Sequence, residues 1–462
     1  MRWNAYAQAA GAIGQIVITL LLVRLLDASD FGRLALVYLV AGLVALLDEG
    51  SFSTRLIATD EQRSRELNVV FWQELLVGLC FSGVILVAAP SLALIYDQPD
   101  LTAYLLALAP VFIITGPRRF YQTLLVRALS FQGMGIVRMV AVVVYIVLTV
   151  VLATAEYGVW SLVYGLIARM IVESIGFTIA GFGYYRPKRP PVFSWKSGYG
   201  RPGVAKVGER VLNYLIERLD IIIIGKALGA DALGVYDVFK RLSIGLYQQV
   251  VPLVMRVGLP VLAKLQTQPT LLAAAYLEQV RYICYLLFPA YLFQALFAEP
   301  IVAFVFGVDW LPYVPIFVWI SLLLLVRSVG APVNGLLMAR GFVKRELIYT
   351  FGVVAVLAAT ILYFVQGGLE AVVVAITWLY VAMAIPVYVW VVRPTGYVKP
   401  KAYFKALLVP LVVSAVVLGS LWLIYEHFLG ATPAGFLLVT LTAILLIGTW
   451  LVRQRGSWSN IS

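Results

Sequence analysis

The chain has 462 residues, 62% hydrophobic and 13% charged, with a mean hydropathy of +0.94 and a formal net charge of +12. A soluble domain carries about 45–50% apolar and about 25% charged residues. Soluble folds are therefore excluded, because a surface in water needs charge to stay dissolved, and apolar blocks of about 20 residues recurring from end to end make this one polytopic membrane protein.

About fourteen spans are predicted, each near the length that crosses a bilayer as a helix. They centre on residues 5–26, 34–57, 67–90, 101–125, 136–154, 158–182, 204–225, 233–257, 276–298, 313–338, 347–365, 370–392, 405–425 and 433–452. The first follows a single charge, Arg2, and runs to Leu26, which is longer than a signal-peptide core and reads as a retained span. The clearest breaks are DASDFG at 27–32, TDEQRSRE at 59–66, YDQPD at 96–100 and the basic stretch at 184–202. GADALG at 229–234, GVDWLP at 307–312 and RPTGYVKPKAYFK at 393–405 follow. The expected fold is all-α. Residues 1–200 form an N-terminal lobe of six helices and 201–400 a second lobe of six. Residues 401–462 hold helices thirteen and fourteen and a tail.

Positive charge is uneven across these breaks. The side holding the N-terminus collects about 26 of the 35 Lys and Arg residues, including the 118–138 region, whereas the other side has Arg24, Arg33 and Lys226. The positive-inside rule then places both termini in the cytoplasm, as an even number of spans requires. A charge of +12 distributed this way points to anionic lipid headgroups rather than nucleic acid. The outer loops are too short for a catalytic domain, and no Walker A, HExxH, GxSxG or DxD pattern occurs. His427, Cys80 and Cys284 make no metal-ligand cluster. The chain is not expected to be an enzyme or to hold a cofactor or metal.

An internal repeat is visible. VRLLDASDFGRLAL (23–36) aligns with GKALGADALGVYDV (225–238), which pairs Arg24 with Lys226, Leu26 with Leu228, Ala28 with Ala230 and Gly32 with Gly234. Both stretches are outer turns, between spans one and two and spans seven and eight. Six spans per repeat restore orientation, so the halves are expected to be parallel, with a site between them.

Spans one, two, seven and eight also carry the polar faces. At about 100° per residue, Asn4, Gln8, Gly11, Gln15 and Thr19 share a narrow face of span one. Asp48, Ser51 and Arg55 share one in span two. Glu209, Arg210, Asn213, Glu217 and Asp220 lie on one arc of span seven, with Arg218 beside it. Asp237, Arg241 and Gln248 align in span eight, next to Lys240. Ions in hydrocarbon cost at least about 2.5–3.5 kcal/mol each and face protein or water. Arg169 and Glu173, at i,i+4, are expected to pair and hold helices together. The polar arcs of spans seven and eight are expected to line a water-filled cavity. Arg210, Arg218, Lys240 and Arg241 there suit an anionic substrate. Asn213 and Gln248 belong to the same arcs, Asn4, Gln8, Gln15, Asp48 and Arg55 are the candidate lining groups of spans one and two, and Asp237, Glu217 and Asp220 are candidate ion-coupling groups.

The turn signature VRLLDASDFGRLAL, with LLDEGSFSTRLI (46–57) and NVVFWQELL (68–76), resembles the polysaccharide exporters and oligosaccharide flippases of the MOP superfamily. YDQPDL (96–101), YGVWSLVYGLI (157–167), IIIIGKALGADALGVYDVFKRL (221–242) and FAEPIVAFVFGVDWLPYVPI (297–316) extend the resemblance in consistent order. It covers about residues 10 to 345. The resemblance implies two six-helix lobes around a cavity lined by helices one, two, seven and eight. It also implies flipping of a polyprenyl-diphosphate-linked oligosaccharide between leaflets by alternating access, with the diphosphate at Arg210, Arg218, Lys240 and Arg241. The implied partners are that glycan, membrane lipids and glycan polymerase machinery. Related lipid II flippases carry arginines deep in the first helix. Here Arg24 lies at its outer end, which argues against a peptidoglycan precursor. The alternatives are an ion-coupled drug or cation exporter of the same superfamily, a membrane glycosyltransferase or polymerase, and a scaffold for glycan-assembly enzymes.

Overall fold

A computed structural model describes residues 22–50, 64–189, 211–428, 432, 435–443 and 445–446. All regular structure among the described residues is helical. Eight described segments are long and apolar enough to cross a membrane. Helices dominate because hydrocarbon offers backbone N–H and C=O groups no water to bond, so each must be satisfied within its own segment.

The chain divides into two compact units, Met1–Asp237 and Val238–Ser462. In the first unit, α1 (Ala28–Gly50), α2 (Ser64–Ile95), α3 (Asp100–Arg127), α4 (Phe131–Thr154) and α5 (Val159–Gly181) are followed by helical turns over 211–217. α6 (Leu219–Lys264) crosses the boundary and is interrupted at Gly229. Helices α4 and α5 lie close to the predicted bounds, whereas DASDFG is mostly helix rather than turn, because α1 begins at Ala28. The second predicted turn, GADALG, shrinks to one residue. Gly229 has φ +81° and ψ −175°, a conformation open to glycine alone, and helix resumes at once.

These two turns meet, as the aligned repeat allows. A β-carbon on Gly32 would overlap the carbonyl oxygen of Ala230, and one on Gly234 would overlap that of Ala28. Gly32 aligns with Gly234, and Ala28 with Ala230. Each glycine therefore receives the alanine carbonyl of the opposite repeat, the reciprocal pattern of a local two-fold. Small residues let helix backbones approach this closely where lipid supplies no hydrophobic drive for association. The Lys226 ammonium, 2.9 Å from the Asp97 carboxylate, adds an exposed ion pair beside the contact.

Helices α2 and α3 are joined deeper in the unit. Gly78 and Gly116 bring the backbones together, each facing main chain of the other helix. The guanidinium of Arg119, 1% exposed, then meets the Glu74 carboxylate, 0% exposed. Its Nε donates to Glu74 Oε2 (3.0 Å), Nη1 to Thr115 Oγ1 (3.1 Å) and Nη2 to the Glu74 carbonyl (3.2 Å). Arg118, on the next position, bonds Glu173 on α5. Arg118 and Arg119 are thus interior groups of α3, within the predicted span 101–125. Cys80 is exposed and Cys284 buried, and neither is bridged. Val87 (80% exposed) and Leu94 (77%) mark the face of α2 that requires lipid.

The second unit continues through α7 (Pro269–Leu296), α8 (Ala298–Val305), a 3-10 turn at Val308–Tyr313, α9 (Val314–Val329) and α10 (Ala331–Ala339). It then runs through α11 (Val343–Phe364), α12 (Gly368–Val387), α13 (Arg393–Gly396) and α14 (Pro400–Phe428). The predicted span 313–338 is broken at Gly330 into α9 and α10, and Pro332 opens the second piece. Phe239 packs edge-to-face on Phe306 and Trp310 and tilted on Phe317, forming one aromatic cluster. Phe297, Tyr425 and Val439 form a hydrophobic cluster, which fastens the last helices to the end of α7.

Two stability outcomes follow. Gly32→Val should abolish accumulation of the folded protein in membranes, because the added carbons fall on backbone that cannot yield. Glu74→Gln leaves a buried guanidinium uncompensated and should cost about 3–5 kcal/mol, read as a lowered melting midpoint in detergent.

Candidate functional site

The candidate residues divide by position. Asn4, Gln8, Gln15, Arg55 and Arg210 lie outside the described residues. Asp48 is in α1, where only its backbone is described. Asn213, Glu217 and Gln248 are exposed, Arg218 and Arg241 half-buried, and Asp220, Asp237 and Lys240 buried.

Residues 211–217 are docked on α1 by Tyr214, which the sequence reading did not single out. Its hydroxyl lies 3.1 Å from the Leu39 carbonyl and 3.3 Å from that of Tyr38. Gly42 leaves the space it occupies. The Arg218 guanidinium rests 5.6 Å from the Tyr214 ring centroid, a cation–π placement that fixes the charge without neutralising it. Tyr214 therefore positions Arg218 in a unit where hydrocarbon would otherwise oppose the charge. Asp220 is held from two sides. Its Oδ2 accepts from the Tyr236 hydroxyl (2.6 Å) and its Oδ1 from the Ile221 amide (2.9 Å), which ties the two arms of α6 across Gly229.

Other interior polar groups of the first unit belong to α3, α4 and α5. The expected Arg169–Glu173 pair is present, Nε to Oε1 at 3.3 Å. Glu173 is shared, however, because Arg118 Nη1 sits 3.0 Å from its Oε2. The Tyr145 hydroxyl on α4 meets that of Tyr38 on α1 at 3.0 Å. Periodicity could not find the Arg118–Glu173 and Tyr38–Tyr145 contacts, since each joins different helices far apart in sequence.

The start of the basic linker is ordered. Asn68 Nδ2 donates to the Arg189 carbonyl (2.9 Å), and its Oδ1 accepts from the Lys188 amide (3.0 Å) and the Tyr185 hydroxyl (3.1 Å). Trp72 Nε1 donates to the Lys188 carbonyl (3.0 Å). The main chain is turned toward α2, while Arg186, Lys188 and Arg189 are exposed.

This arrangement of helices is that of known membrane transporters. The structure is similar to that of the lipid II flippase MurJ in an inward closed conformation, with a TM-score of 0.70 and 14% identity over 97% of this chain and 98% of that one. It is also similar to an inward-facing multidrug resistance MATE family transporter of the MOP superfamily (TM-score 0.63, 15% identity, 82% and 93% covered). At these identities the likeness concerns the fold. Residues 21–315 match the family described as polysaccharide biosynthesis protein, and the chain belongs to that family, with a flippase-like fold. Relatives include the teichuronic acid biosynthesis protein TuaB of Bacillus subtilis, 23% identical over 92% of this chain and 89% of its own length. The lipopolysaccharide biosynthesis protein WzxC of Escherichia coli is 24% identical over 73% of this chain and 69% of its own.

The linker clamp predicts a protease result. Arg186 and Arg189 each precede proline, so trypsin can cut only the Lys188–Arg189 bond here. Asn68→Ala removes bonds worth together about 1–2 kcal/mol and should speed that cleavage about five- to thirtyfold in detergent, read by mass spectrometry of the fragments.

Proposed function

We propose that this protein flips a polyprenyl-diphosphate-linked oligosaccharide, the repeat unit of a bacterial polysaccharide, from the inner to the outer leaflet of the cytoplasmic membrane by alternating access. The match of residues 21–315 to the polysaccharide biosynthesis family carries this reading. The fold alone does not choose the cargo, since multidrug transporters share it. The chain crosses the membrane fourteen times with both termini in the cytoplasm, as its charge asymmetry favours.

The diphosphate engages Arg210, Arg218, Lys240 and Arg241, the basic groups of spans seven and eight. The glycan occupies a cavity lined by Asn4, Gln8, Gln15, Asp48, Arg55, Asn213 and Gln248, and the isoprenoid stays in lipid. No bond is made or broken. An ion gradient drives the cycle through Asp237, Glu217 and Asp220, whose carboxylates are the acidic groups on the same helices. Polymerase machinery receives the flipped unit. The contact of Gly32 and Gly234 with the opposite alanine carbonyls supports a closed outer end, which must part for release.

Polymer export in a flippase-deleted host tests the reading. Wild type should restore export, and Arg218→Ala with Arg241→Ala should reduce it at least tenfold at matched membrane level while lipid-linked repeat units accumulate. Equal export by both would remove the basic groups from the mechanism. Failure of wild type with every glycan tried would remove the cargo. Release is tested separately in a Cys80→Ala background carrying Asp97→Cys and Lys226→Cys. Bridging that pair with a short bis-maleimide should arrest export, and continued export would exclude opening at these turns.

A further inference from the structure

Helix α5 carries a charge whose placement a structural ion pair does not explain. Arg169 lies at the middle of Val159–Gly181, where a crossing helix is deepest in hydrocarbon. The lipid-facing edge of α5 is marked by Tyr164, Ile175 and Ile179, all exposed. At about 100° per residue, Arg169 points roughly 120° away from that edge, yet its side chain remains 38% exposed. An arginine turned from lipid and still open is placed to meet water or a polar ligand rather than hydrocarbon.

The contrast with Arg119 is instructive. Arg119 places all three of its guanidinium nitrogens on partners and is closed off. Arg169 commits only Nε, to Glu173 Oε1, and rests against the Tyr145 ring at 6.0 Å. Among the described residues nothing accepts a hydrogen bond from its two terminal nitrogens. Glu173 also serves Arg118 through its other oxygen, so two guanidiniums share one carboxylate. The Nε bond and the ring fix the plane of the Arg169 guanidinium, leaving its outer edge as a fork that matches an oxyanion bidentately. Tyr145 links this group to α1, a predicted cavity helix, through the hydroxyl of Tyr38.

We propose that Arg169, oriented by Glu173 and Tyr145, is a second anion subsite at mid-membrane, within the first unit, that takes a phosphoryl oxyanion of the lipid carrier during its passage. This rests on the flippase reading and adds a station apart from Arg218. Glu173 is a positioning residue that keeps the fork aimed; its own charge is held by two arginines.

The test uses purified full-length protein in detergent with undecaprenyl diphosphate as the probe, binding being read as the concentration that half-maximally raises the melting midpoint. Wild type should bind. Arg169→Gln should weaken binding about ten- to hundredfold, the range of a lost charge-assisted pair. Arg169→Lys keeps the charge but not the fork, and should weaken it several-fold. Glu173→Gln should weaken it while Arg169→Lys, made in the same background, adds little more. Affinity unchanged in either Arg169 variant overturns the subsite and leaves the flippase reading standing. Absence of binding by wild type overturns both. Should Arg169→Gln melt before the ligand can be added, the lysine variant alone decides.

Discussion

The structure depends on one constraint: a charge inside hydrocarbon must have its hydrogen bonds made for it by protein. The Arg119–Glu74 pair meets this fully. Each charge is closed off from solvent, and the remaining donors of the guanidinium find a threonine hydroxyl and a main-chain carbonyl. Such a pair gains little over well-packed apolar groups, but losing one member strands the other. Its consequence is rigidity. Helices α2 and α3 are fixed as a pair, with Gly78 and Gly116 drawing their backbones together, and the adjacent Arg118 reaches α5 from the same anchored helix.

Around this rigid element, polar contacts are graded by how completely they are satisfied. Asp220 is occupied by a tyrosine hydroxyl and its own chain and secures the reversal at Gly229. Arg218 is stacked on Tyr214, which leaves its charge available. Among the described residues, Arg169 bonds through Nε alone. Closed pairs hold the helices together, whereas Arg218 and Arg169 are only partly enclosed. The distinction is chemical, and it follows from counting donors.

The matched turns add a geometric constraint. Two glycines related by the repeat each receive a carbonyl from the other repeat. A contact of this kind has no side chain to compress and no soft intermediate, so it is either made or broken. The exposed Lys226–Asp97 pair lies beside this contact and belongs to the same pair of turns.

Much of this was legible from residues alone. Hydropathy located the helices, because spanning hydrocarbon demands about 20 apolar residues whatever they pack against. The repeat paired Ala28 with Ala230 and Gly32 with Gly234 in sequence, and only the structure brings those turns into contact. The i,i+4 spacing of Arg169 and Glu173 was enough to foresee their bond. The sequence did not determine which charges are open. Arg118 and Arg119 fall inside the predicted span 101–125, but nothing in their spacing shows that their partners are Glu173 on α5 and Glu74 on α2. Tyr214, Asn68 and Trp72 carry no periodic signal, and their partners lie on helices distant in sequence. Sharing of Glu173 between α3 and α5, and the free edge of Arg169 that results, were decided only by tertiary packing, because they depend on how many donors converge on one carboxylate in space.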